Sequence, residues 1–122
     1  MADIVYLVQD MLFTSKIRET AKSFGLSVQS VRDPAALVAG AAAGDTKLVI
    51  VDLRLPAALD ALSALGADPV ASGVPSVGFI DHEKLDVMDA ASARGCGQVM
   101  AKGSFANGLP RLLGSLVPPP AA

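Results

Sequence analysis

The chain has 122 residues, of which 52% are hydrophobic and 18% are charged, and its formal net charge at pH 7 is −2. This length fits one compact domain, and the apolar excess favours an α/β fold whose parallel sheet is covered on both faces. Because lysine and arginine form no cluster, we expect no direct binding to nucleic acid or to a membrane surface. The lone Cys96 excludes an internal disulfide, and no stretch resembles a signal peptide or a membrane span, so we expect a cytoplasmic protein.

Five short apolar runs are predicted to form strands. They cover residues 4–8, 26–31, 48–51, 76–80 and 98–101. The first and third runs are almost entirely apolar and rich in β-branched residues, which is typical of strands buried on both faces.

The stretches between these runs have helical patterns, beginning with an apolar stripe at helical spacing. This stripe consists of Phe13, Ile17, Ala21 and Phe24. Gly25 is expected to end the first helix. The second helix is predicted over residues 35–43, because Asp33 can cap it and Pro34 suits its first turn.

Three further apolar stripes predict the third, fourth and fifth helices. Their members are Leu59, Leu62 and Leu65; Leu85, Met88 and Ala91; and Phe105, Leu109, Leu112, Leu113 and Leu116. Gly66 and Gly95 are expected to end the third and fourth helices. Pro110 predicts that the fifth helix begins near Asn107, because proline is tolerated in the first turn but not in a helix interior.

Five strands that alternate with five helices predict a doubly wound five-stranded parallel sheet. We expect this domain to cover residues 1–117 and a disordered, proline-rich tail to cover residues 118–122. No dinucleotide, Walker, nucleophile-elbow or zinc motif occurs, which argues against a conventional enzyme.

Polar side chains follow four of the predicted strands. Gln9 and Asp10 follow the first, Asp52 ends the third, Asp81 and His82 follow the fourth, and Lys102 follows the fifth. In a doubly wound sheet, ligands gather at the carboxyl ends of the strands. Two carboxylates there can hold a hard cation such as Mg²⁺, and a lysine beside them can pair with a phosphoryl group.

These residues resemble the receiver domain of two-component response regulators, and the resemblance covers about residues 3–117. Asp52 is followed by Leu-Arg-Leu-Pro, which places Pro56 as in the family, while Asp10 matches one acid of the pair after the first strand. The resemblance implies a flavodoxin-like fold with Asp52 as phosphoacceptor and with Lys102 binding the phosphoryl oxygens. It also implies a Mg²⁺ site formed by Asp10, Asp52 and the main-chain carbonyl of Arg54.

The sequence departs from the family at several functional positions. Gln9 replaces the first acid of the pair, which weakens the Mg²⁺ site, and Gly103 replaces the proline after the lysine. Ile80 stands where the family has its switch hydroxyl, and Val99 stands where it has its switch aromatic residue. Two interpretations follow: a receiver that is still phosphorylated but signals differently, or a pseudo-receiver that works independently of phosphorylation.

Each of these residues also has a purely structural interpretation. Asp52 could form a turn, and Asp10 could cap the first helix. Lys102 could form a structural salt bridge with Asp52, and His82 could be a solvated residue rather than one that controls access of water. Arg54 could reach Asp10, Asp52 or solvent, and the sequence does not choose between them.

The resemblance implies a stand-alone signalling domain whose partner is a histidine kinase or a downstream signalling protein. A homodimer could form through the face of the fourth helix, fifth strand and fifth helix. That face would include Val87, Met88, Val99, Met100 and parts of 105–113. The only reaction expected is autophosphorylation of Asp52 from a phosphodonor. The alternative is a flavodoxin-like module that binds a small ligand at the same strand ends.

Overall fold

The computed structural model describes residues 2–117, which form a five-stranded parallel sheet with helices on both faces. The strands are β1 (Ile4–Leu7), β2 (Val28–Ser30), β3 (Leu48–Asp52), β4 (Ser76–Ile80) and β5 (Gln98–Ala101). The helices are α1 (Met11–Ser23), α2 (Pro34–Ala41), α3 (Ala58–Ala67), α4 (Leu85–Ala93) and α5 (Lys102–Gly114), and a 3-10 turn covers Ala71–Gly73. The strand order is β2-β1-β3-β4-β5. The predicted doubly wound fold is therefore confirmed.

Alternation along the strands divides the core between the two faces of the sheet. In β1, Ile4 and Tyr6 pack with residues of α1 and α5, whereas Val5 and Leu7 pack with residues of α2, α3 and α4. All four of these side chains are buried, as expected for a strand covered on both faces.

The ends of the first two helices follow the predicted capping chemistry. The Asp33 carboxylate accepts a 2.7 Å hydrogen bond from the backbone N–H of Ala36, and Pro34 is the first residue of α2. After α1 the chain reverses at Gly25, whose φ of 71° lies in the left-handed region that glycine adopts readily.

The fifth helix begins earlier than predicted. It starts at Lys102 instead of near Asn107, so Pro110 lies inside it. Phe105, Leu109 and Leu113 are buried along this longer helix, while Pro110 is exposed. Their burial outweighs the hydrogen bond that the proline nitrogen cannot donate.

Two members of the predicted apolar stripes do not reach the core. Leu85, the first residue of α4, is 66% exposed, and Phe24, the residue after α1, is 36% exposed. Both stand at helix ends, so the apolar pattern extends one turn beyond the residues that contact the sheet. Within residues 2–117, no helix is long and apolar enough to span a membrane. The tail predicted at 118–122 lies outside the described residues.

Candidate functional site

Four charged residues predicted to share one site do lie at the carboxyl ends of adjacent strands. Asp52 is the last residue of β3, Asp10 caps the helix that follows β1, Asp81 follows β4, and Lys102 follows β5. Since β1, β3, β4 and β5 are neighbours in the sheet and all run parallel, their ends meet at one edge. The sequence left open how these residues pair, and the structure shows their partners.

Asp52 lies at the centre of this edge and is almost fully buried. It is 2% exposed and is the only charged residue that is buried within residues 2–117. Its register partner on β4 is Phe79, which belongs to the cluster beneath α1 and α5. One oxygen, Oδ1, accepts a 3.0 Å hydrogen bond from the backbone N–H of Arg54, which closes a tight turn directly after the strand.

The Arg54 side chain turns back onto the Asp52 carboxylate. Its Nε donates to Oδ1 and its Nη2 donates to Oδ2 of Asp52, each over 2.9 Å. Nη2 also donates to Oδ2 of Asp10 over 3.2 Å. The bonds to Asp52 form a bidentate, charge-assisted pair, which is the strong form of an arginine–carboxylate contact. Hydrogen bonding to Asp52 is the main cause that raises the pKa of Arg54.

Two aromatic rings lie against the Arg54 guanidinium. Its central carbon is 5.4 Å from the ring centroid of Phe13 and 5.7 Å from that of Phe79, within the range of cation–π attraction. The Phe79 ring in turn stacks on Phe105 at a centroid distance of 4.5 Å. Sequence reasoning assigned Phe13 and Phe105 to packing and gave Phe79 no role. Two features of the sequence could have indicated these contacts. Phe13 lies in the first turn of α1, and Phe79 lies next to the end of β4.

Asp10 both caps α1 and contacts Arg54. Its Oδ1 accepts from the backbone N–H groups of Leu12 and Phe13, over 2.9 and 3.2 Å. The bond from Phe13 is the largest cause of the lowered pKa of Asp10, and the hydrogen bond from Arg54 lowers it further. The capping role considered for Asp10 is therefore confirmed.

Lys102 pairs with Asp81, and not with Asp52 as in the structural alternative that the sequence left open. Its Nζ lies 3.0 Å from Oδ1 of Asp81, and both side chains are about half exposed. Within the described part of the chain, no ion pair joins Lys102 to Asp52. The reason is the strand order, because β4 separates β5 from β3 and brings Asp81 between the two. The Lys102 ammonium lowers the pKa of Asp81.

The remaining predicted site residues lie around this cluster without contributing charge to it. Gln9, Pro56 and His82 are exposed. Ile80 is buried in the cluster beneath α2, α3 and α4, and Val99 packs against that cluster. Neither side chain can donate a hydrogen bond to the Asp52 pocket.

The side chains named for the predicted partner face are only partly exposed to solvent. Val87, Met88, Val99 and Met100 are half-buried. Within the segment 105–113, of which the prediction named only parts, Phe105, Leu109 and Leu113 are buried beneath α5 and are not available to a partner. The periodicity of α5 explains this, because its apolar stripe faces the sheet.

An open groove of about 750 Å³ lies at the same end of the sheet as the acidic cluster of Asp10 and Asp52. Its lining includes Val8, Gln9, Thr14, Arg18, Ser30 and Arg32. Asp52 does not line it, so the groove and the acidic cluster are separate features of the same end of the sheet.

As arranged, the Asp10–Asp52 pair does not fit a Mg²⁺ site. Every carboxylate oxygen of the two residues already accepts a hydrogen bond from an N–H group. Mg²⁺ demands oxygen ligands in near-octahedral geometry, and the nearby guanidinium repels it.

Solved structures that match the fold of this chain include receiver domains and response regulators from bacteria. The receiver domain of the sensor histidine kinase PA1611 from Pseudomonas aeruginosa PAO1, solved with magnesium in its active-site cleft, is 20% identical. It matches with a TM-score of 0.78 over 94% of this chain and 96% of its own. The chemotaxis response regulator CheY4 of Vibrio cholerae is 15% identical, with a TM-score of 0.78 over 96% of this chain and 99% of its own.

A third match is the phosphorylated cyanobacterial phytochrome response regulator RcpA, which is 19% identical. Its TM-score is 0.72 over 95% of this chain and 91% of its own. No protein-family model matches the chain, and no curated protein sequence matches it either. The chain therefore has the fold of a response-regulator receiver domain, and at these identities the likeness extends to the fold alone.

Proposed function

We propose that the protein is a receiver-type signalling module that binds a protein partner without phosphorylation of Asp52. The observation that carries this proposal is the bidentate pairing of Arg54 with Asp52. To accept a phosphoryl group, an Asp52 oxygen must attack phosphorus to form an acyl phosphate while the donor's leaving group departs. Both oxygens are instead engaged by Arg54, and Asp52 is buried beneath it.

Two further contacts support the same proposal. Lys102, which by resemblance would hold the phosphoryl oxygens, is engaged by Asp81. Ile80 and Val99 stand at the switch positions of the receiver fold, and neither carries the hydroxyl or the aromatic ring that couples phosphorylation to a remote surface. Binding to a partner would then depend on the resting surface of the domain.

The proposed partner is a histidine kinase or a downstream signalling protein. A second copy of the chain is another candidate, through the half-buried side chains of Val87, Met88, Val99 and Met100. Because the chain carries little net charge and no basic cluster, apolar contacts suit such a surface better than electrostatic attraction.

The decisive experiment is intact-mass spectrometry after incubation with acetyl phosphate and Mg²⁺. The protein and its Asp52→Asn variant should both keep their unmodified mass. They should also bind the same partner with equal affinity in a pull-down from the source cell lysate. A phosphoryl adduct that appears on the protein and is absent from Asp52→Asn would overturn the proposal.

A small-ligand-binding function has one observation in its favour, the groove of about 750 Å³ lined by Arg18 and Arg32. Against it, the N–H groups of Leu12 and Phe13 in the first turn of α1 already donate to Asp10 and are not free for a phosphate. Calorimetric titration with flavin mononucleotide and with ATP tests this second function. Saturable binding that is lost in Arg18→Ala would establish it, and absence of binding would remove it.

A further inference from the structure

We infer that Arg54 is the resident cation of the Asp52 pocket and that it excludes divalent metal ions from it. This inference rests on the acidic cluster that carries the proposed function. It goes further by identifying Arg54 as the residue that determines which cation Asp10 and Asp52 accept.

The carboxylate oxygens of Asp10 and Asp52 leave few free acceptor positions for a metal ion. Asp52 Oδ1 accepts from the backbone N–H and Nε of Arg54, and Asp52 Oδ2 accepts from Nη2. Asp10 Oδ2 accepts from the same Nη2, and Asp10 Oδ1 accepts from two backbone N–H groups of α1. A metal ion would have to displace Arg54 from three of its hydrogen bonds before it could reach both carboxylates.

The net charge of Asp10, Asp52 and Arg54 also disfavours a divalent metal ion. Asp10 and Asp52 together carry two negative charges, and the guanidinium between them leaves a single net negative charge. A divalent ion is attracted less strongly to this trio than to two bare carboxylates, and it also meets repulsion from the guanidinium. Lys102 adds no free positive charge, because Asp81 is its partner.

Arg54 is held in place both at its backbone and at its guanidinium. Its backbone N–H is fixed by the turn after β3, so the side chain emerges directly beside the carboxylate. Its guanidinium lies over the rings of Phe13 and Phe79, and only 30% of the side chain is exposed. An arginine that is held at its backbone and at its guanidinium loses little conformational entropy when it pairs with a carboxylate. This favours the observed pairing with Asp52 over an arrangement in which the carboxylates are open to a metal ion.

The test is a Mg²⁺ titration followed by amide chemical shifts in ¹H–¹⁵N NMR spectra, which report binding without any phosphodonor. The unmodified protein should show no saturable shift at Asp10, Asp52 or Leu53 at millimolar Mg²⁺. Arg54→Ala should bind Mg²⁺ about tenfold more tightly or better, the effect of removing one positive charge from a partly buried site. Arg94→Ala is the matched control, because Arg94 pairs with the exposed Asp60, and it should behave like the unmodified protein.

The spectra also show whether each variant folds. If Arg54→Ala is unfolded, Arg54→Gln serves in its place, because glutamine can still hydrogen-bond Asp52 without a positive charge. Tight Mg²⁺ binding by the unmodified protein would overturn the inference, and so would equally weak binding by folded protein and Arg54 variant. The phosphorylation experiment is separate, since a phosphoryl adduct contradicts the proposed function whatever the Mg²⁺ titration shows.

Discussion

The Arg54 guanidinium donates one 2.9 Å hydrogen bond to each oxygen of the Asp52 carboxylate. Asp52 is 2% exposed, so without this partner it would be a buried, uncompensated charge. The pair therefore has two consequences. It stabilises the carboxyl edge of the sheet, and it withdraws Asp52 from other partners.

Removal of Arg54 should destabilise the protein. We expect Arg54→Met to lower the free energy of unfolding by about 2–4 kcal/mol, because the buried carboxylate is left unpaired while part of the site stays open to water. Urea denaturation followed by circular dichroism measures the change.

Arg94→Met is the matched control for this prediction. Arg94 pairs with Asp60 across 3.8 Å at the surface, so we expect a change within about 0.5 kcal/mol. Equal effects of the two substitutions would contradict the role given to Arg54.

The pH dependence of stability should reflect Asp10, whose pKa is lowered below the ordinary 3.8 by the Phe13 N–H and by Arg54. The folded state then binds fewer protons than the unfolded state near and below that pH. The stabilisation from ionised Asp10 is therefore complete above pH 3.8 and is lost as the pH falls through the lowered folded-state pKa.

Asp10→Asn isolates this effect, because asparagine keeps the helix cap but not the charge. The difference in unfolding free energy between the protein and the variant should be largest near neutral pH and should shrink in acid. A difference that stays constant across the acid range would show that the Asp10 charge does not contribute.

Lys102 should contribute little to stability and nothing to the Asp52 pocket. We expect Lys102→Met to change the free energy of unfolding by less than about 1 kcal/mol, since its pair with Asp81 is about half exposed. Amide shifts of Asp52 and Arg54 should stay in place. Large shifts at those two residues in the variant would instead indicate a contact between Lys102 and the Asp52 pocket.

Packing behind the site can be tested at Gly78. A Cβ at this position would lie 2.9 Å from Leu53 Cδ1, and Leu53 follows Asp52 in the chain. We expect Gly78→Ala to destabilise by about 1–3 kcal/mol because Leu53 is buried and must shift.

Gly66 provides the contrasting substitution. It lies within α3, and a Cβ there would meet no atom within 4 Å. Gly66→Ala should stabilise by about 0.5–1 kcal/mol, because alanine favours the helix and restricts the unfolded chain. Thermal melts of both variants should shift in opposite directions, and a shift of both in the same direction would contradict the packing described here.

The fold was predictable because its signals are local. The apolar runs at β3 and β4, and the Asp33–Pro34 start of α2, each specify an element within a few residues. The start of α5 was predicted wrongly, because the penalty at Pro110 is local while the burial of Phe105 depends on the whole sheet. Tertiary packing decided that boundary.

The site was predictable in position but not in pairing. Parallel strands bring Asp10, Asp52, Asp81 and Lys102 to one edge whatever their side chains do. Which charges pair depends on strand order and on the side-chain conformation of Arg54, and neither can be read from spacing. The sequence accordingly left Arg54 with three alternatives, of which the structure combines the contacts with Asp10 and Asp52.

A crystal structure of the protein grown in the presence of Mg²⁺ tests the pairing of Arg54 with Asp52 most directly. We expect Arg54 Nε and Nη2 within hydrogen-bond distance of the Asp52 oxygens, with no metal ion between Asp10 and Asp52. A Mg²⁺ ion bound to both carboxylates, with the Arg54 side chain turned into solvent, would contradict this pairing.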